Sequence, residues 1–343
     1  MKSDQGVDAT GSPHSTPIAP PHAVTISPAA QTGGAKVGQS ATYTEQLSNE
    51  GYLPDSYSLS TTSGWPATTY DATCTTLLTT TALVQPGATV DVCVKVAVPA
   101  DAANDARNTT TLTATSAADA GVHAAATLTT IAVAVDTLLV DNDGNAPDVA
   151  GIYQAALTAN GTAFSTWDLA TDPELPQTYL TAFKTVVWFT GNSYPAPITP
   201  YESELTALLD GGGRLFMSGQ DILDQAAGTT QFVQDYLHIS WDGSETQNDK
   251  ATATVTGVTG NPVTGGLGTV PLDHSVLGAT YEDQITPIAP ATAAFTDDTS
   301  ATDALTVADG SYKVVFLAFP FEAYGTAAQQ ADLMGRSLTY LNA

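Results

Sequence analysis

The chain has 343 residues, enough for two domains that each bury a core, and its 9 Lys and Arg against 35 Asp and Glu leave a formal net charge of −26. From Asp136 onward 5 basic residues face 25 acidic ones. Such a surface repels phosphate backbones and anionic lipid, so nucleic acid and acidic membranes are excluded as partners, and no apolar run is long enough to span a bilayer. The acidity itself reads as a solubility trait. It suits a chain that works outside the cell, meets calcium or lives in salt, without choosing among these.

Residues 1–22 form a Pro-, Ser- and His-rich lead that reads as a flexible linker. They carry no charged start, apolar stretch and cleavage site in succession, so no signal peptide is expected among them. The remainder is Thr- and Ala-rich and poor in Lys, as exported proteins are. The expectation is a fragment, or the mature end, of a longer extracellular protein.

Residues 23–135 carry short alternating runs at 23–27, 40–47, 56–61, 89–98, 109–115 and 125–134, punctuated by Gly33-Gly34, Pro86-Gly87 and Pro99. This spacing predicts an all-β immunoglobulin-like sandwich of about seven strands. Cys74 and Cys93, the chain's two cysteines, both lie here in strand-like settings. A disulfide is expected, which would place the protein in an oxidising compartment; the alternative is two buried thiols, and zinc is excluded for want of ligands. Trp65, in Ser63-Gly64-Trp65-Pro66, is either an edge plug or a ligand-stacking aromatic. Asn108-Thr109-Thr110 and Asn160-Gly161-Thr162 match the glycosylation acceptor pattern.

Across 136–343 the period changes, and apolar strands alternate with amphipathic helices, the pattern of an α/β doubly wound domain with a flavodoxin- or amidotransferase-like sheet. Strands are predicted at 137–141, 164–167, 185–190, 214–217 and 312–319, and helices at 148–159, 199–209 and 326–341. Asn160-Gly161 reads as a helix stop, and Thr199-Pro200 as an N-cap with proline at the first helical position. A Thr-, Gly- and Pro-rich insertion at 250–309 should form a small β excursion or cover one sheet edge.

The segments "TLLVDNDGN", "VVWFTGNSYP", "LLDGGGRLFMSGQDI", "FVQDYLH" and "VVFLAFPFEA" resemble the class I glutamine amidotransferase-like domain at the C-terminal end of secreted bacterial subtilisin-like proteases. Likewise "SGWPATTYDATC" and "LVQPGATVDVCVKVAVP" resemble the immunoglobulin-like modules attached to secreted proteases and glycosidases. The resemblance implies a noncatalytic accessory region whose partners are a parent protease or hydrolase domain, or an extracellular protein or glycan. The chain has no H-G-T or G-T-S-M segment for a subtilisin triad, and both cysteines lie outside the region where an amidotransferase keeps its nucleophile.

The strand ends of the second region should gather Asp141, Asp143, Asn192, Tyr194, Ser218, Gln220, Asp221 and Glu322 along one crevice. Ser218, where a buried strand runs into a turn and a new helix, is expected to be an N-cap. Its hydroxyl would take the N–H of Gln220 or Asp221, because the first glycine of a G-x-S-x-G elbow is missing and Asp221 completes a capping box. The catalytic alternative makes Ser218 the nucleophile of a hydrolase, with His238 or His274 as base and Asp221 or Glu322 as orienter. A third reading gives Asp141 and Asp143, with Glu322, to calcium, although the Asp-Asn-Asp-Gly-Asn run is no EF-hand loop. No other cofactor is implied. A glycan-binding module using the crevice or Trp65 completes the set.

Overall fold

The computed structural model describes residues 19–195, 197–224, 229–244, 246–278 and 280–343. The linker read at 1–22 therefore lies, up to residue 18, outside the described residues. Two compact units divide the chain: the first takes in Gly38–Ala100 and Arg107–Ile131 with the described residues up to Gly33, and the second Gly34–Val37, Asp101–Ala106 and Ala132–Ala343.

The first unit is a β-sandwich of two four-stranded sheets. Its strands are β1 (Val24–Ser27), β2 (Ala30–Lys36), β3 (Ser40–Asn49), β4 (Tyr57–Ser63), β5 (Ala67–Tyr70), β6 (Thr89–Ala97), β7 (Arg107–Ser116) and β8 (His123–Val133). They run in the orders β1-β3-β6-β5 and β2-β8-β7-β4. In β3 and β7 every second side chain is buried, the mark of a strand with one face on the core. Tyr43, Leu47, Val92, Val94, Leu112 and Leu128 fill the space between the sheets. The two strands beyond the predicted runs, β2 and β5, are the ones whose sequences, AQTGGAK and ATTY, carry no apolar alternation. Cys74 and Cys93 form a disulfide that ties the loop after β5 to β6. Asn108, read as an acceptor for glycan, is buried, and its amide donates to Ser63 and Thr110.

The second unit is built on a nine-stranded mixed sheet. Its strands are β9 (Thr137–Asp141), β10 (Phe164–Asp168), β11 (Thr185–Phe189), β12 (Arg214–Ser218), β14 (Thr254–Gly257), β15 (Thr269–Pro271), β17 (Thr292–Asp297), β18 (Thr302–Asp309) and β19 (Tyr312–Leu317), while β13 (Ile239–Ser240) and β16 (Thr286–Pro287) pair separately. The order is β10-β9-β11-β12-β19-β18-β17-β14-β15. The first five neighbours are parallel and the rest antiparallel. Counted in chain order, the parallel part reads 2-1-3-4-5. The segment 250–309 is β-rich and lies along one sheet edge, where it lengthens the sheet beyond β19.

Helices α1 (Ala150–Ala159), α2 (Gln177–Leu180), α3 (Glu202–Asp210), α4 (Gln231–Asp235) and α5 (Ala327–Asn342) surround this sheet. Tyr153 and Leu157 of α1 and Leu333, Met334 and Leu341 of α5 pack with Leu139, Val187, Phe216 and Val315, which share one face of the parallel strands. Helix α1 ends where Asn160-Gly161 predicts. Gly161 has φ +65°, and the N–H groups of Gly161 and Thr162 donate back to Thr158 and Leu157, the paired bonds of a Schellman stop. The start read at Thr199-Pro200 differs: a 3-10 turn, Thr199–Tyr201, stands ahead of α3, whose N-cap is Tyr201. Helix α5 begins in a full capping box between Thr326 and Gln329.

Because Cys74 and Cys93 close a loop of 19 residues in sequence, the unfolded first unit loses loop freedom worth about 3 kcal/mol in the chain-entropy treatment. Thiol titration of the denatured, unreduced chain is expected to find no free thiol. Reduction is expected to lower the first unit's unfolding free energy by about 2–4 kcal/mol, read from denaturant midpoints.

Candidate functional site

Parallel pairing sets Asp141 opposite both Asp168 and Phe189, Phe189 opposite Ser218, and Ser218 opposite Leu317. Five strands therefore end on one line, and the loops that leave them share the edge where open parallel sheets bind ligands, with the reversal of strand order falling between β10 and β11, at β9. Two glycines let these loops approach one another. A Cβ on Gly219 would lie 1.8 Å from Thr190 Oγ1, and one on Gly191, whose φ is +51°, would lie 2.8 Å from Asp143 Cβ.

Ser218 is fully buried as the last residue of β12, and no helix begins there. Its hydroxyl donates to the Phe319 carbonyl at 3.1 Å and accepts the Phe321 N–H at 2.8 Å. The capping expectation is thus corrected. The hydroxyl serves the loop leaving β19, and residues 219–224 after it bend without a helical turn. Sequence reading finds the buried strand and its sharp turn but has no access to the partner, which lies 103 residues away.

The catalytic alternative finds neither of its bases beside Ser218. His238 Nε2 meets the Tyr312 hydroxyl at 3.0 Å and Asp309 Oδ2 at 3.3 Å. Tyr312 opens β19 whereas Ser218 pairs with Leu317 at its end, so the two sites stand at opposite edges of the sheet, roughly 16 Å apart along the strand. His274 directs Nε2 to the Thr252 carbonyl at 2.8 Å and Nδ1 to Glu282 Oε1 at 3.1 Å. Glu322 is buried and its Oε2 accepts the Tyr153 hydroxyl at 2.7 Å, so it orients that tyrosine and not a histidine.

Two groups of polar side chains do assemble. In the first, Asp141, Asp143 and, beyond the predicted pair, Asp148 each offer an oxygen within 4.8 Å of the others. The turn's own backbone holds them. Asp143 accepts the N–H groups of Asn145 at 2.6 Å and Val149 at 2.8 Å, Asp148 that of Ala150 at 3.0 Å, and Asp141 that of Asp143 at 3.2 Å. These bonds lead the chain into α1. Burial, then the charge of Asp143, pushes Asp141 up to about 7. Glu322 is also raised to about 7 by burial, with Asp143 adding to it against the Tyr153 hydrogen bond.

The second group links the loops after β11 and β12 to residue 281. Gln220 donates to Asn192 Oδ1 and accepts the Tyr281 N–H at 3.0 Å, while Asn192 donates to the Leu277 carbonyl at 2.9 Å. Beside this clamp is a cavity of about 300 Å³ lined by Asn192, Tyr194, Asp221, Asp224, Asp249 and Tyr281. The predicted crevice residues thus fall into two sets, with Asn192, Tyr194 and Asp221 on this cavity. Asp224, Asp249 and Tyr281 were missed. Their signal in the sequence is faint: acidic residues in loops of an acidic chain, brought together only by the sheet.

Glu322 provides a test of the first group. A carboxyl raised from 4.5 to about 7 on folding binds its proton more tightly in the folded state. Its stabilising contribution is therefore complete below pH 4.5 and is lost as pH rises through about 7. Glu322→Gln keeps an acceptor for Tyr153 and removes the titration. Urea midpoints of the second unit measured from pH 4.5 to 7.5 are expected to fall less steeply in the variant, with Asp141, Asp221, Glu282, Asp283 and Asp303, also raised by burial, leaving a residual slope of the same sign.

No protein-family model matches the chain, and no curated protein matches it. Among solved structures it is similar to PapD-like domain 7 of human CEP192, at 13% identity over 39% of this chain and 97% of that one, with a TM-score of 0.24. SSP-19, an MSP-domain protein of Caenorhabditis elegans, aligns at 16% identity over 32% of this chain and 99% of its own, with a TM-score of 0.22. The secreted serine protease VesC of Vibrio cholerae aligns at 16% identity over 30% of this chain and 21% of its own, also at 0.22. Likeness at this level carries no argument about function.

Proposed function

We propose that this chain is a noncatalytic, extracellular accessory region of a secreted hydrolase, of the kind attached to subtilisin-like proteases. On this reading its first unit is an immunoglobulin-like spacer, and its second is a flavodoxin-ordered, amidotransferase-like domain that uses the crevice for contact and not for turnover. The observation that carries it is the engagement of Ser218. A nucleophile must expose its oxygen to substrate and pass its proton to a base, whereas this hydroxyl is fully buried, with its proton on Phe319 O and its lone pair on Phe321 N–H. The disulfide supports the compartment, since such bonds persist where thiols are not kept reduced. The 2-1-3-4-5 order of the parallel strands supports the class of the second unit.

The complete reading frame is expected to encode a hydrolase domain joined to this region. That hydrolase, expressed with and without the region, should turn over a small chromogenic substrate at the same rate while differing in stability or retention on its natural substrate. A frame with no such domain overturns the proposal.

Ser218→Ala offers a separate check. Leaving the buried Phe321 N–H without its acceptor is expected to cost about 1–3 kcal/mol of stability. Neither the natural chain nor the variant should react with a serine-directed phosphonate. Stoichiometric labelling of Ser218 would return the hydrolase reading.

A further inference from the structure

We infer that His274, Glu282 and Asp303 form a proton-dependent latch that fixes one wall of the strand-exit cavity and releases it as the group gives up its protons. The three side chains converge on Thr252. His274 Nε2 meets the Thr252 carbonyl at 2.8 Å, the Thr252 N–H donates to Glu282 Oε2 at 3.4 Å, and the Thr252 hydroxyl donates to Asp303 Oδ2 at 3.3 Å. His274 Nδ1 faces Glu282 Oε1 at 3.1 Å. Both carboxylates are 0% exposed, and the histidine side chain only 17%.

These contacts fix how many protons the group holds. A carbonyl oxygen only accepts, so Nε2 carries a hydrogen and Nδ1 is left to meet the carboxylate. The two facing atoms are out of line for a hydrogen bond, and neither has another partner among the described residues. With a neutral ring and an ionised Glu282, a lone pair would face a charged oxygen at 3.1 Å, so one further proton resides on the pair, on the ring or on the carboxyl. Asp303 needs a proton of its own. Its Oδ1 is buried without a partner, and the charges near it, those of Asp297, Glu282 and Asp298, are all of its own sign.

The latch holds the residues that close the cavity. Tyr281, which lines it, directly precedes Glu282 and donates its N–H to Gln220 Oε1 at 3.0 Å, while the Leu277 carbonyl, just after the turn of His274, accepts from Asn192 at 2.9 Å. Glu282 exchanges backbone bonds with Lys250, and the Asp283 N–H donates to the Ala318 carbonyl. Once Glu282 and Asp303 both ionise, two buried negative charges share one imidazole. The stretch sheds them by moving toward water, which draws Tyr281 off Gln220. Burial raises both carboxyls to about 8, with Asp221 adding to the shift at Glu282 and Asp297, Glu282 and Asp298 at Asp303. Asp283, beside them, is raised to about 8 as well, and Asp273 feels the charge of His274. Since folding raises Glu282 from 4.5 and Asp303 from 3.8, the latch is tightest below those values and loosens as pH climbs to about 8. It works in this way whatever the cavity binds.

The test uses the full chain and residue-resolved amide hydrogen exchange from about pH 5 to about pH 8, each rate corrected for the intrinsic pH dependence of exchange. Protection of the Tyr281 and Glu282 amides is expected to fall as pH rises, by up to about tenfold per pH unit for each proton released, while the Phe216 amide in β12 stays protected. The double variant Glu282→Gln/Asp303→Asn should make that fall shallower by about tenfold per pH unit or more, with Asp283 leaving a remainder. Glu322→Gln should leave the Tyr281 slope as it is. A second measurement does not depend on the double variant's folding: infrared spectra of the natural chain should show protonated carboxyl groups at about pH 6 that ionise by about pH 9, and the isosteric single change Asp303→Asn should remove part of that band. Protection of Tyr281 that ignores pH, an equal fall at Tyr281 and Phe216, an unchanged slope in the double variant, a slope altered by Glu322→Gln, or a carboxyl band untouched by Asp303→Asn would overturn the latch.

Discussion

Everything at the functional edge depends on the register of the parallel strands. Asp141, Phe189, Ser218 and Leu317 stand in one row across β9, β11, β12 and β19, so each strand releases its loop at the same height. A slip of one residue would exchange the two faces of a strand, and because both faces are buried every side chain would then meet the wrong packing partners. Burial on both faces thus fixes the register, and the register gathers polar residues that lie far apart in sequence. Ser218 fastens the row by joining the end of β12 to the loop beyond β19.

Buried acids meet two different fates, since burial raises Glu45 of the first unit as it does those of the second, while Asp55 goes the other way. In the first unit, burial raises Asp55, but hydrogen bonds from Ser116 and Ser56 and the charge of His22 outweigh it, so the carboxyl ends below its ordinary value. In the second, Asp141 and Asp221 are raised to about 7 and Glu282, Asp283 and Asp303 to about 8, with burial the leading cause in each. Neighbouring carboxylates add to the shift at all five. Groups raised in this way contribute stability at low pH and withdraw it as they ionise toward neutrality.

Much of the fold was legible because alternation and runs of apolar residues are local signals. The five parallel strands were readable from TLLVD, FSTWD, TVVWF, RLFMS and YKVVFL, and Asn160-Gly161 ends α1 as written. What escaped was non-local. Strand β2 owes its place to neighbours in its sheet and not to its own Gly-Gly sequence, and the segment 250–309 joins the sheet by pairing with β19, which no period announces. The site divided along the same line. Asp141 and Asp143 lie within one turn and could be read as a pair, whereas Asp221, Asp224 and Asp249 come to line one cavity only through the fold. Ser218 fell between, since its burial was foreseeable and its partner was not.

Strands β12 and β19 are neighbours in the sheet, yet the whole of 219–311 is made between them. During synthesis, β9 to β12 can pair while the outer side of β12 is still open, and that side is an unpaired edge flanked by Leu215, Phe216 and Met217. Open apolar edges are templates for pairing with other chains, and charge beside them is a common safeguard. The next residues to emerge include Asp221 and Asp224. Their negative charge discourages a second chain from adding to β12 during the interval before β19 arrives, so carboxylates that line a cavity in the finished domain protect the unfinished one.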